Sequence, residues 1–98
     1  GVEFAGVALR ETTDIRGSID RLVVFHDDAG NAIGAEIVDW KTDSYGPDEL
    51  DSKIAYYAPQ LSSYRFAVSK LLGIEEANIV TKLAFVFTGN IIDITNKT

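Results

Sequence analysis

The chain has 98 residues, enough for one domain with a modest core, and a net charge of −6 at neutral pH. Apolar residues make up 46% and charged residues 24%, an ordinary balance for a soluble globular protein, and no apolar run approaches the ~20 residues of a membrane span. There is no Cys, and His26 is the single His, which excludes disulfides, thiolate-held clusters, cysteine nucleophiles and multi-histidine metal sites. Any metal must be held mainly by oxygen, which points to Mg²⁺, Mn²⁺ or Ca²⁺.

No secretory signal is visible at the start. The chain opens at Gly1 in strand-like sequence and contains no Met, which reads as a piece of a longer protein carrying one domain over 1–98. Residues 2–10 (VEFAGVALR) predict a first strand and residues 15–26 (IRGSIDRLVVFH) a second. Asp27 to Asn31 form a polar turn, with Gly30 and Asn31 suited to unusual φ angles. His26 and the Asp27-Asp28 pair read as turn-proximal, solvated groups. Residues 33–42 (IGAEIVDWKT) predict a third strand, so the opening half reads as an antiparallel meander.

Ser44 to Asp48 predict a loop, with Asp48 as helix N-cap and Glu49 and Asp51 in the first turn, where negative charge suits the helix dipole. Leu50, Ile54, Tyr57, Leu61, Tyr64, Val68 and Leu71 recur at gaps of three and four, a helical stripe, and Gly73 is placed to end it. Pro59 lies inside this stretch and predicts a kink or a break into two helices. Residues 79–88 predict a further strand and Ile91 to Ile94 a last one. Strands, a helix, then one or two more strands describe an α+β or mixed α/β sheet with the helix on one face.

Three features carry chemistry. Asp39 and Lys41 are i and i+2 near the end of an apolar strand, so their side chains project to one face, with Cα atoms roughly 7 Å apart. Ile37 shares that face, and Val38 and Trp40 point the other way. The carboxylate can ligate Mg²⁺, and the ammonium can orient a water or offset phosphate charge. For an isolated Asp-x-Lys, a salt bridge at a strand end is the commoner meaning.

Asp20 sits beside the apolar run Leu22 to Phe25, where an acid needs a partner. In a hairpin centred between Ala29 and Gly30 it stands nearly opposite Asp39. Two facing carboxylates repel, and a divalent cation between them turns that repulsion into binding. The alternative partners are Arg16, Arg21 and Lys41. The third feature is on the helix. Gln60 and Tyr64, at i and i+4, share a face and offer polar groups to a metal-bound water, a phosphate oxygen, a carboxylate or the lysine. Tyr57 alone reads as core filling.

The segments GSIDRLVV, AEIVDWKTD and YYAPQLSSYRFAV, in that order, resemble the RecB/AddA branch of the PD-(D/E)XK nucleases, the C-terminal nuclease domains of helicase–nucleases. The resemblance runs from Gly17 to Tyr64 and extends to LAFVFTG at 83–89. It implies a restriction-endonuclease-like core, with Asp20 and Asp39 as metal-binding carboxylates and Lys41 as the catalytic lysine. Gln60 and Tyr64 would be the supporting motif, the Trp40 carbonyl a further metal ligand, and Glu3 an acidic residue on the first strand. It also implies Mg²⁺ or Mn²⁺ as cofactor and DNA as substrate. Helicase domains of the same parent chain, and a second helicase–nuclease subunit, would be partners in double-strand-break repair, in a cytoplasmic setting and away from membranes. Relatives place one more residue, often His, on a helix upstream of the first strand, a position before Gly1. No Walker A motif occurs, and the lack of Cys sets the chain apart from Fe–S members. A nuclease fold that has lost activity and serves DNA-end binding or scaffolding is the rival expectation.

Overall fold

The computed structural model describes residues 19–98. The strand expected over 2–10, Glu3 within it, and the first residues of the segment 15–26 lie outside the described residues. Four strands and one helix follow in chain order: β1 (Arg21–His26), β2 (Ala32–Lys41), α1 (Leu50–Leu72), β3 (Ile79–Phe85) and β4 (Asn90–Asp93). Single 3₁₀ turns occupy Glu76–Asn78 and Thr95–Lys97. The strands lie in the order β1-β2-β3-β4, antiparallel at both ends and parallel between β2 and β3. This is the mixed α+β sheet that the sequence predicts.

The β1–β2 hairpin closes through the polar turn. Asp27 accepts the backbone N–H groups of Ala29 (3.0 Å) and Asn31 (2.9 Å), and Gly30 takes a φ of 88° that costs a residue without Cβ little. These bonds hold the exposed Asp27 carboxyl below the usual carboxylate range, Asn31 contributing most. Arg21 pairs with Val38, Leu22 with Ile37 and Val24 with Ala35, so the next positions outward are Asp20 and Asp39, as the symmetric hairpin predicts. A register shift between Phe25 and His26 leaves this part of the ladder unchanged.

Because β2 and β3 run parallel, the chain must cross the sheet between them, and α1 is that crossover. Its buried residues, Ile54, Ala58, Leu61, Tyr64 and Val68, lie on one stripe. Ile54, Leu61, Tyr64 and Val68 pack in one cluster with Ile37, Leu22 and Val24 from the hairpin and Ile79, Leu83 and Phe85 from β3. Gly73 closes the helix at φ 68°, its N–H donating to the Ser69 carbonyl at 3.0 Å.

Two local expectations are corrected. The helix runs unbroken through Pro59 from Leu50 to Leu72. Pro59 faces solvent, as does Ala55, whose carbonyl loses its intrahelical partner. The stripe of core side chains on both sides of the proline holds the two halves in line. The N-cap is Glu49, not Asp48. Gly46 to Glu49 form a turn in which the Glu49 N–H donates to the Gly46 carbonyl at 3.0 Å. Pro47 and Asp48 are its central residues, which places Asp48 before the helix. Strand β3 ends at Phe85, and a turn over 86–89 leads into β4.

The C-terminal segment is bolted to the helix. Arg65 donates to the carbonyls of Glu76 (2.9 Å) and Thr95 (3.2 Å), and the fully buried Thr81 hydroxyl bonds to that of Thr98 at 2.8 Å. Such bonds let β3 carry a polar residue in the core without leaving it unsatisfied.

Candidate active site

Asp39 and Lys41 lie at the carboxyl end of β2, one of the two parallel strands. In sheets crossed by a helix, that end is where ligands find an open crevice. Strand alternation puts Asp39 on the helix side, and it is 4% exposed, while Trp40 points away and is 54% exposed. The Lys41 side chain stays on the helix side and folds back. Its Nζ stands 2.9 Å from Asp39 Oδ2, with the two side chains 15% and 5% exposed. Among the described residues Oδ2 is buried and accepts no hydrogen bond, and this ion pair is its contact.

Asp20 reaches the same place from the start of β1. Its Oδ2 accepts the Trp40 backbone N–H at 2.8 Å, so the side chain extends the hairpin ladder just beyond the strand. Among the described residues the Trp40 backbone is the partner this carboxylate finds; Arg16, one of the partners weighed for it, lies outside them. Asp20 is also near enough to Asp39 to favour its protonated form. Burial does most to raise the Asp39 carboxyl above the ordinary value; the Lys41 ammonium pulls the other way, and Asp20 adds to the rise.

The helix supplies the other wall. Gln60 Oε1 accepts from Lys41 Nζ at 3.0 Å, and Gln60 Nε2 donates to the Tyr64 hydroxyl at 3.1 Å. Tyr64 is 1% exposed, and burial raises its phenol, with the Asp39 charge adding to that. Gln60 and Tyr64 thus form the i,i+4 pair the sequence predicts, aimed at the lysine. Asp20, Asp39, Lys41, Gln60 and Tyr64 are brought together.

Tyr57, read above as core filling, also belongs here: the Lys41 Nζ lies 4.1 Å from its ring centroid. Its hydroxyl donates to both oxygens of Asp43, at 2.9 and 2.8 Å. Asp43 also pairs with Lys53 Nζ at 3.0 Å. Nothing above singles out Asp43. The available clue is its parity with Asp39 and Lys41, two residues further on, but it lies past the end of β2, where strand alternation no longer fixes direction. His26 ends β1 and is remote in sequence from these groups, consistent with a turn-proximal role.

The donor set suits a hard divalent cation. Two carboxylates converge from adjacent strands, and one has a buried oxygen without a hydrogen bond. Among the described residues no three acidic, His or Cys side chains cluster to hold an ion. Backbone oxygen, water or substrate would complete the shell, the habit of Mg²⁺, which uses one or two carboxylates and keeps several waters.

The sequence profile of the PD-(D/E)XK nuclease superfamily matches residues 1–94. The chain therefore belongs to that superfamily, a class of phosphodiester-cleaving nucleases that generally use divalent metal ions. The mixed sheet with its single crossover helix agrees with the restriction-endonuclease-like fold. No curated protein and no solved structure matches the chain. Among the described residues, no helix is long and apolar enough to cross a membrane.

Proposed function

We propose that this domain is a Mg²⁺-dependent deoxyribonuclease of the RecB/AddA type, working beside helicase domains in double-strand-break repair. The observation that carries the nuclease reading is the convergence of Asp20, Asp39 and Lys41 at the end of β2, where the buried Asp39 Oδ2 is ion-paired to the lysine but accepts no hydrogen bond. The narrower assignment, with its helicase partners, is supported by the three motif segments in order.

In this reading Asp20 and Asp39, with the Trp40 carbonyl, hold the metal. A bound divalent ion supplies Lewis-acid polarisation of the phosphate and stabilises the leaving oxygen. Lys41 holds the attacking water or offsets charge on the phosphate. Gln60 helps to hold the lysine by accepting one of its three N–H bonds, and Tyr64 braces Gln60 from the core. Burial raises the Asp39 carboxyl, a cost that a bound cation would offset.

A second reading, a nuclease-fold module that binds DNA ends without cutting, draws on the net charge of −6, which disfavours a polyanion. Cleavage of linear DNA in Mg²⁺ separates the two. The nuclease reading expects cutting by the protein and none by Lys41→Ala, with Mg²⁺ still bound by the variant. Cutting by Lys41→Ala at the parent rate would remove the lysine from the mechanism. Metal binding without any cutting by the parent protein would favour the non-catalytic module.

A further inference from the structure

Lys41 carries four rotatable bonds, and catalysis needs its ammonium in one place. The contacts described so far do not fix it well. Asp39 Oδ2 is an ion-pair partner at 2.9 Å and not a hydrogen-bond acceptor, and Gln60 provides one neutral acceptor. Among the described residues, the remaining contact is the face of Tyr57, 4.1 Å from Nζ. An ammonium over an aromatic face is attracted by the ring quadrupole, more so away from water.

That ring is itself held. Its hydroxyl donates to both Asp43 oxygens, and Asp43 is gripped a second time by Lys53, one helical turn before Tyr57 on α1. Asp43 lies two residues after Lys41, just past the strand. The carboxylate therefore ties the end of β2 to the helix and stops the Tyr57 ring from swinging away. The phenol stays protonated, and so a donor, because burial and then Asp43 push its pKa up to about 12.

We propose that Asp43 and Tyr57 act as a lysine-positioning pair, in which Asp43 clamps the Tyr57 phenol so that the ring face seats the Lys41 ammonium. Neither touches the phosphate; both act through Lys41, so the inference rests on the nuclease reading of that lysine. A packing role for Tyr57 would not need the Asp43 contact, and a solvated Asp43 would not need the ring.

The test compares Tyr57→Leu, Tyr57→Phe, Asp43→Asn and the double variant Asp43→Asn/Tyr57→Phe in the protein, with Lys41→Ala alongside. The Lys41 ε-methylene shift, read by NMR on lysine-labelled protein, reports the ring contact without any need for activity. The parent should show an upfield, ring-shielded signal that Tyr57→Leu moves back to the ordinary lysine position and Tyr57→Phe largely keeps. Cleavage should show kcat falling roughly 10²-fold in Tyr57→Leu, with KM for DNA near the parent value. Tyr57→Phe and Asp43→Asn should each lose about tenfold, and the double variant no more than either, because both break one contact. An unshielded Lys41 signal in the parent overturns the proposal. So does parent-like kcat in all four variants while Lys41→Ala is dead, a result that leaves the nuclease reading standing. If Lys41→Ala cuts normally, the nuclease reading of the lysine fails, and the positioning pair falls with it.

Discussion

Asp39 combines the role proposed for it with a cost to the fold. Its carboxyl is raised mainly by burial, so the folded chain keeps this proton to a higher pH than the unfolded chain does. From the ordinary value of 3.8 up to the raised one, the folded state binds more protons. Stability contributed by this group therefore falls as pH rises through that window and stays reduced above it. Asp39→Asn should raise the thermal midpoint of the metal-free protein at neutral pH, flatten this part of the pH–stability curve, and abolish cleavage. An unchanged or lower midpoint would mean that the Lys41 contact outweighs the desolvation. At this scale the site was largely legible in advance. Strand parity placed Asp39 and Lys41 on one face, hairpin symmetry placed Asp20 across from Asp39, and helical spacing aligned Gln60 with Tyr64. Asp43 was not legible, since its position depends on how the loop after β2 meets the helix, and no periodicity encodes that.

Among the elements, α1 shows most plainly how packing overrides local preference. A proline costs a helix interior about 3 kcal/mol relative to Ala. Here it sits on the solvent side while Ile54, Ala58, Leu61, Tyr64 and Val68 bury the opposite stripe. The sequence displays the proline plainly, but the compensation is spread over several helix side chains and three strands, so a break is the natural reading of the local pattern. Pro59→Ala should restore the bond to the Ala55 carbonyl and stabilise the protein by about 2 kcal/mol, after allowing for the added freedom of the unfolded chain. A urea midpoint shift reads this directly, and a destabilised variant would mean that the helix path depends on the proline. The N-cap shows a smaller version of the same effect. Asp48 has the right chemistry for a cap, yet Pro47 places it inside a turn and passes the cap position to Glu49.

Over the whole molecule, the order of elements was readable because hydrophobic periodicity changes from two to three-and-four and back. Sheet order was not, because nothing local says that β3 pairs with β2 in parallel rather than with β1. That pairing decides the site: it turns α1 into a crossover and brings Gln60 and Tyr57 over the end of β2. The charge of −6 makes its own prediction. With acidic residues outnumbering basic ones 15 to 9, DNA binding by this chain should show a shallow salt dependence, about 0.9 per phosphate contacted in a log–log plot. A slope matching many contacts would reveal a basic track beyond the described residues.

Trp40 bonds to Asp20 through its backbone and turns its indole outward. It is the one tryptophan in the chain, and so all indole fluorescence arises from a residue flanked by Asp39 and Lys41. Any cation that draws on the Asp20 carboxylate must disturb the backbone that carries the fluorophore. If Asp20 holds the metal as proposed, titrating Mg²⁺ should change the indole emission without any label, and Asp20→Ala should silence that change.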